Sequence, residues 1–264
     1  MSNTKQLDAL IHDPAERARN REDNYAMALS FLRNEPYSTA PVIADWLGMG
    51  VPGTRRVLKQ LVAQELVIRD EVSWMGTRTL QIFAASTLGR YQHMDEHEIG
   101  LADLDPPSRD YTRGRVKLSL LEHTLMIQSC RINLMGDAID RYLQDKTGLV
   151  EPALWMSSSQ MPGQNESRAS GRRWPVYPDG IFSQVWSVGE GQPGNVRIAV
   201  EAERTRKSKK RYVQILMAHR QNIAADRYDH VGYYVEANYL EGYQRLFREI
   251  DPDHRQYLNV SSID

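Results

Sequence analysis

Three carboxylic acids and a lysine lie in two short stretches of this sequence. Asp179 stands between a proline and a glycine in YPDG, and Glu201 and Glu203 end the apolar part of IAVEAERTRK, whose last residue is Lys207. Acids held close together raise one another's pKa values, and a divalent cation removes that cost. Oxygen ligands of this kind suit Mg²⁺ or Mn²⁺. The pattern therefore predicts a metal site formed by Asp179, Glu201 and Glu203; the alternative is an ordinary hairpin with a charged rim.

A β-hairpin would bring these acids to one end of a sheet. The segments GIFSQVWSV and VRIAVEAE suit strands, and the turn between them is rich in Gly and Pro. Pairing that is symmetric about Gly191 places Asp179 beside Glu203, and Glu201 shares a face with Glu203 because strand side chains alternate. Lys207 would then stabilise charge on a phosphate or position an attacking water, which indicates phosphodiester chemistry.

The segment that follows these acids is strongly basic. Its cations are Arg204, Arg206, Lys207, Lys209, Lys210 and Arg211. Tyr212, Ile215 and Leu216 then follow helical spacing. A helix with a basic start beside an acidic site can hold a DNA backbone, with Lys209 and Lys210 as the predicted contacts. The alternative is a solvated helical face.

The first third of the chain predicts three helices and a hairpin. Apolar spacing indicates helices in NYAMALSFLRN, in VIADWLGM and after VPGT, and LVIRDEV and TLQIFAA suit two strands. This order is that of a winged helix-turn-helix, whose third helix enters the major groove. The predicted DNA contacts are Thr54, Arg55, Arg56 and Lys59 on that helix and Arg78 near the hairpin tip. The alternative is a winged helix that binds another protein.

Shifts in composition predict four segments. They are a flexible N-terminal segment (1–22), the winged helix-turn-helix (23–92), an acidic linker with a Pro-Pro pair (93–112) and a second domain (113–264). His93 and His97 lie four residues apart in the linker beside acids, but a solvated surface is favoured there over a metal site.

Helices and strands are mixed in the second domain. The predicted elements are a helix at about 116–145, a strand at 154–160, a mobile loop at 161–174, the hairpin, the basic helix, a strand at 231–237 and a helix at about 240–250. The long helix is expected to break near Gly136. The fold class predicted for the chain is α+β (α/β), with a mixed sheet in the second domain.

Overall composition restricts the class of protein. The net charge is −1 over 264 residues, so any nucleic-acid surface must be local. Cys130 is the only cysteine, which excludes a disulfide framework and a Cys-based zinc cluster. The N-terminus lacks the pattern of a secretory signal, and no apolar run approaches the ~20 residues of a membrane helix. We therefore expect a cytoplasmic protein.

The acidic residues carry a resemblance to the PD-(D/E)xK nuclease superfamily, a mixed sheet flanked by helices. Asp179 matches the Asp of the Pro-Asp pair, and Glu201 matches the acid of the second motif. The usual lysine position is held by Glu203, which is a departure, and Lys207 can replace that lysine in space, as happens within the superfamily. The resemblance implies a nuclease dependent on Mg²⁺ or Mn²⁺ with these four residues at its centre.

A winged helix-turn-helix followed by an H…PDG…ExE…K…RY pattern, over about residues 24–240, also resembles the plasmid replication-relaxation proteins, which include the MobC-type mobilization relaxases. This resemblance implies nicking of double-stranded DNA at a plasmid transfer origin, with accessory mobilization and coupling proteins as partners. It leaves open hydrolysis or a tyrosine adduct, for which Tyr177 and Tyr212 lie near the predicted site. Glu122 and His123 are further candidates, because superfamily members sometimes place an extra acid on the helix before the sheet.

Two other functions are consistent with the same sequence. A non-catalytic DNA-binding regulator of plasmid replication or transcription would use the nuclease-like domain as a scaffold, and Glu203 in the lysine position favours it. A restriction-type or repair nuclease is the third.

Overall fold

The computed structural model describes residues 14–74, 78–91, 111–114, 116–144, 153–161, 173–187 and 193–263. The chain divides into two compact units, Met1–Leu118 (unit 1) and Ser119–Asp264 (unit 2). Residues 93–110 of the predicted linker and most of the predicted loop at 161–174 lie outside the described residues. Among the helices that the structure describes, none is both long and apolar enough to cross a membrane.

Unit 1 contains helices followed by a hairpin, as predicted. Its elements are α1 (Pro14–Asn34), α2 (Ala40–Leu47), α3 (Val51–Ala63), β1 (Val67–Trp74), β2 (Arg78–Ala85) and α4 (Thr87–Tyr91). α1 begins at Pro14, so the last part of the segment predicted to be flexible (1–22) is helical, and its flexibility stays a prediction. A proline is tolerated in the first turn of a helix, and the Ala, Glu and Arg residues that follow it are good helix formers.

The core of unit 1 is built from one apolar stripe on each helix. Leu29 of α1, Ile43 of α2 and Leu58 of α3 are fully buried, and Ile82 of β2 is almost so. β1 and β2 pair antiparallel. Ser38, in the connection between α1 and α2, exchanges two backbone hydrogen bonds of 2.8 Å with Phe83 of β2. The helices and the hairpin therefore share one core.

A five-stranded mixed sheet organises unit 2. The elements of unit 2 are α5 (Leu118–Gln144), which begins at the boundary with unit 1, β3 (Leu154–Ser157), β4 (Gly180–Ser187), β5 (Pro193–Glu203), α6 (Lys209–Ala224), β6 (His230–Glu236), α7 (Leu240–Ile250) and β7 (Leu258–Ile263). The strands lie side by side in chain order; β3–β4 and β4–β5 are antiparallel, and β5–β6 and β6–β7 are parallel. The mixed sheet is confirmed, and β7 is an element that the sequence reading lacked.

Helices cover both faces of this sheet. On one face, Leu216 of α6 and Phe247 of α7 pack against Ala199 and Val231. On the other face, residues of α5 pack against Phe182, Val200 and Ala202. The predicted break of α5 near Gly136 is wrong, since the helix continues to Gln144. A single glycine costs an exposed helix only about 1 kcal/mol, which packing along a long helix offsets.

The register of the β4–β5 hairpin differs from the predicted one by two residues. Gly180 pairs with Val200, and the Asp179 backbone N–H donates to the Val200 carbonyl at 2.9 Å. Asp179 therefore lies opposite Glu201, and its predicted position beside Glu203 is wrong. The last pair of the ladder joins Ser187 with Pro193, so the pairing is symmetric about position 190. A shift of two residues keeps every side chain on its predicted face.

Candidate active site and nucleic-acid surfaces

The acidic residues lie at the end of the sheet where the parallel strands have their carboxyl termini. Asp179 immediately precedes β4, and Glu201 and Glu203 are among the last three residues of β5. In open α/β sheets, ligands bind at the carboxyl ends of the parallel strands. We call this end of the sheet, which carries Asp179, Glu201 and Glu203, the acidic edge. The local sequence places the acids there because an apolar hairpin ends in polar residues on both strands.

Both oxygens of the Asp179 carboxylate have hydrogen-bond partners. Oδ2 accepts the backbone N–H of Ala202 at 2.8 Å, and Oδ1 lies 3.1 Å from Nε2 of His123 on α5. A carboxylate can only accept, so His123 donates from Nε2. The hydrogen bond to Asp179, followed by weaker charge effects, raises the pKa of His123 despite its partial burial. Asp179 is thus fixed in orientation and half-buried beside a partly exposed imidazole.

Glu201 lies deeper than Asp179. Its Oε1 is 3.2 Å from Nε2 of His219, a residue of α6 that is fully buried. Burial raises the pKa of Glu201, the nearby charge of Asp179 raises it further, and His219 and Lys207 oppose that change. The Glu201 side chain is 16 % exposed. Two neighbouring acids repel each other when both are charged, and a bound cation would relieve that repulsion.

Glu203 occupies a different environment, among tyrosines. Its side chain is 4 % exposed and forms an ion pair with Lys207, four residues later. Its Oε2 also lies 3.3 Å from the Tyr212 hydroxyl and 3.4 Å from the Tyr233 hydroxyl. Glu203 therefore anchors Lys207, whose side chain is 42 % exposed, at the rim of the acidic edge.

The structure brings Asp179 and Glu201 together as strand neighbours, with His123 on one side and His219 on the other. Within the described ranges, no group of three or more His, Cys, Asp or Glu is arranged to hold a metal ion. Carboxylate oxygens are the donor set that Mg²⁺ and Mn²⁺ take. The residues that fit such a cation are thus Asp179 and Glu201, and Glu203 is directed to Lys207.

The remaining candidates of this unit have structural partners. Glu122 forms an ion pair with Arg204. Tyr212 is fully buried, and its hydroxyl accepts the Lys207 backbone N–H at 2.9 Å. Burial raises the pKa of Tyr212, so its hydroxyl keeps its proton. Tyr177 stacks on Trp174 and accepts that residue's backbone N–H.

Unit 1 presents most of its predicted DNA contacts to solvent, with one correction. Arg55, Arg56 and Lys59 are exposed on α3, and Arg78 is exposed at the start of β2. Thr54 is fully buried, and its hydroxyl donates to the Gly50 carbonyl at 3.3 Å. The prediction that Thr54 reaches a base is therefore wrong, because it lies on the inward stripe of α3.

The basic segment before and within α6 is also solvent-exposed. Arg206, Lys210 and Arg211 are exposed. Lys209 is exposed as well, and its Nζ lies 2.5 Å from the Glu249 carboxylate. The Ser208 hydroxyl caps the helix by accepting from the Arg211 backbone N–H. The cations thus surround the N-terminus of α6, where the helix dipole also favours an anion.

One set of residues near the acids was missed by the sequence reading. His219, Asn222, Arg227 and Tyr228 form a line of polar contacts that begins at Glu201. A signal was present, because His219 follows Tyr212, Ile215 and Leu216 at helical spacing. A histidine on the apolar face of a helix that packs on the acid-bearing strand needs a buried partner.

Comparison with known proteins gives little further information. No protein-family model matches the chain, and no curated protein matches it. A solved structure with partial similarity is the crystal structure of a MarR family transcriptional regulator from Silicibacter pomeroyi DSS. It is 21 % identical, covers 50 % of this chain and 78 % of its own, and has a TM-score of 0.27, which does not establish a common fold.

Proposed function

We propose that this protein is a DNA endonuclease that depends on Mg²⁺ or Mn²⁺ and cuts one strand of a duplex. The observation that carries the proposal is the position of Asp179 opposite Glu201 on adjacent strands, at the carboxyl edge of the parallel strands, with Lys207 at the rim. The mixed sheet with helices on both faces supports the PD-(D/E)xK assignment, in which these positions carry the chemistry.

The roles of the acids follow from their surroundings. Asp179 and Glu201 would hold the cation, which when bound polarises a phosphodiester and lowers the pKa of water. The Ala202 N–H and His123 keep the Asp179 carboxylate in place, so it needs little reorganisation to bind a ligand. Glu201 is largely buried, with 16 % of its side chain exposed, and this partly desolvated setting strengthens its electrostatic interactions.

Lys207 and His123 are the cationic groups suited to bind the scissile phosphate. A lysine ammonium has three N–H donors, and the ion pair with Glu203 leaves others for phosphate oxygens. His123 is 37 % exposed, and its hydrogen bond with Asp179 raises its pKa, which favours the charged ring. Both groups would counter the negative charge that accumulates as the bond to the leaving oxygen breaks.

Binding of the duplex is proposed for the two exposed basic surfaces. The three helices and the hairpin of unit 1 support a winged helix-turn-helix, in which Arg55, Arg56 and Lys59 would face the major groove and Arg78 a phosphate. In unit 2, Lys209 and Lys210 would contact the backbone beside the acidic edge.

The narrower function that we propose is that of a plasmid mobilization relaxase acting at a transfer origin. Its support is the sequence resemblance to the MobC-type relaxases, and coupling and accessory mobilization proteins would then be its partners. The burial of Tyr212 favours hydrolysis over a covalent adduct on that residue.

A second candidate function is a DNA-binding regulator without catalysis. The observation that favours it is the environment of Glu203, which occupies the usual lysine position and is satisfied by Lys207, Tyr212 and Tyr233. In this case the acidic edge would be a structural ion-pair network, and DNA binding would not depend on a divalent cation.

A nicking assay separates these functions. Supercoiled plasmid that carries the DNA adjoining the protein's own gene would be incubated with wild type, Glu201→Gln and Glu241→Gln, in Mn²⁺ or in EDTA. Glu241 is an exposed acid of α7 and serves as the matched control. We expect open-circular product that requires Mn²⁺ and Glu201 and is unaffected by the control substitution. Metal-independent DNA binding without product would favour the regulator.

A further inference from the structure

A line of buried polar side chains connects Glu201 with the loop after α6. Nε2 of His219 lies 3.2 Å from Glu201 Oε1, and Nδ1 lies 2.7 Å from the Tyr228 hydroxyl. The Tyr228 hydroxyl is 2.8 Å from Nδ2 of Asn222, and Arg227 Nη1 donates to Asn222 Oδ1 at 2.7 Å. His219, Asn222 and Tyr228 are fully buried. The donor and the acceptor at each contact along this line follow from the contact next to it.

The amide of Asn222 is fixed from both sides. Arginine can only donate, so the oxygen of the amide faces Arg227. Nδ2 of Asn222 also lies 2.9 Å from the backbone carbonyl of Val176, which can only accept. The amide nitrogen therefore donates to the Tyr228 hydroxyl and cannot accept from it.

The hydroxyl of Tyr228 then fixes the imidazole of His219. Burial raises the pKa of Tyr228, so the hydroxyl keeps its proton. Because its oxygen accepts from Asn222, its proton is available for Nδ1 of His219. A neutral His219 with Nδ1 as acceptor carries its own proton on Nε2, which is the nitrogen that faces Glu201.

The contact between His219 and Glu201 is close but incompletely aligned. Glu201 Oε1 and His219 Nε2 are buried, and within the described part of the chain neither has a partner with full hydrogen-bond geometry. The two atoms are 3.2 Å apart, which is within hydrogen-bond distance. We expect a cation bound at the other oxygen of Glu201 to orient the carboxylate so that this hydrogen bond forms.

We infer that His219 is a positioning residue for Glu201: it donates from Nε2 to one carboxylate oxygen, in a tautomer set by Arg227, Asn222 and Tyr228, and leaves the other oxygen for the divalent cation. This inference rests on the proposed function. Residues that orient metal ligands in this way typically change metal affinity by about 10–100-fold when they are replaced.

The first test reads the tautomer of His219 directly in the full-length protein without metal. Imidazole ¹⁵N shifts would be measured in EDTA, and the His219 signals identified from their loss in His219→Gln. We expect Nε2 to carry the proton in wild type, and a mixture of tautomers in Tyr228→Phe, which removes only the hydroxyl. A proton on Nδ1 in wild type would overturn the inference, whether or not the protein is a nuclease.

The second test measures Mn²⁺ binding by calorimetry. We expect binding to be about 10–100-fold weaker in His219→Ala, weaker also in Tyr228→Phe, and largely restored in His219→Gln, whose amide nitrogen takes the place of Nε2. Ile215→Ala removes a buried side chain from the same helix and should lower the Tm without changing Mn²⁺ affinity. Wild-type affinity in His219→Ala refutes the positioning role alone, whereas wild type that binds no Mn²⁺ refutes the proposed metal site together with it.

Discussion

Replacement of Arg55 and Arg56 together should reduce the dependence of DNA binding on salt. Both side chains are exposed on α3, and buried Thr54 before them contributes no contact. Each phosphate contact contributes a slope of about −0.9 to the logarithm of affinity against the logarithm of salt concentration. If each arginine contacts one phosphate, the double alanine variant loses about 1.8 from that slope. The ratio of wild-type affinity to variant affinity should then be roughly tenfold smaller at 200 mM salt than at 50 mM.

The assay is fluorescence anisotropy with duplex DNA at several salt concentrations. The matched control is Arg19→Ala with Arg21→Ala, which removes the same charge from exposed positions of α1 in the same unit. Thermal melts should be nearly unchanged for both pairs, since surface substitutions usually alter stability by less than ~0.5 kcal/mol. Wild-type affinity together with a wild-type slope in the α3 variant, or an equal loss in the two pairs, would refute the assignment of α3 as the DNA-binding helix.

Three further predictions concern stability and mechanism. Gly180→Ala places a Cβ 2.2 Å from the indole on β3 and should cost about 1–3 kcal/mol in thermal unfolding, whereas Gly242→Ala, with open space around it, should not. Tyr111→Phe removes a 2.5 Å hydrogen bond to Asp70 and should cost about 1 kcal/mol at pH 7. That bond lowers the Asp70 pKa, so the loss should be present above about pH 4 and fade as the pH falls through the folded-state pKa; an equal loss at pH 3 would contradict it. Tyr212→Phe should still nick DNA, and an SDS-stable protein–DNA adduct that this variant abolishes would exclude hydrolysis.

Elements with strong apolar periodicity were predictable. The helices of unit 1 and the β4–β5 hairpin follow from repeated apolar positions, which dominate local structure when one face must be buried. β7 was missed because LNVSSI has only three apolar residues and forms an edge strand that follows a loop rich in charge. Such a strand is specified by its parallel pairing with β6, which no local pattern encodes.

The site was predicted in its residue types and less well in its geometry. The two-residue error in register arose because turn composition does not reveal where strand pairing resumes, and β5 begins three residues earlier than its apolar run. The burial of Thr54 was available from periodicity, since it lies on one helical stripe with Val57, Leu58 and Leu61. His219 could not be connected to Glu201 without the tertiary packing of α6 on the sheet.

The order of strands in the sheet has a consequence for how the site is assembled during folding. In the five-stranded sheet, each described strand after β3 lies beside the strand that precedes it in the chain, so none of them must insert between two that are already paired. Pairing of β4 with β5 closes a short loop, which costs less conformational entropy than closing the longer loops that distant contacts require. The backbone frame that sets Asp179 opposite Glu201 can therefore form as the chain emerges, before α6 brings His219 beside Glu201.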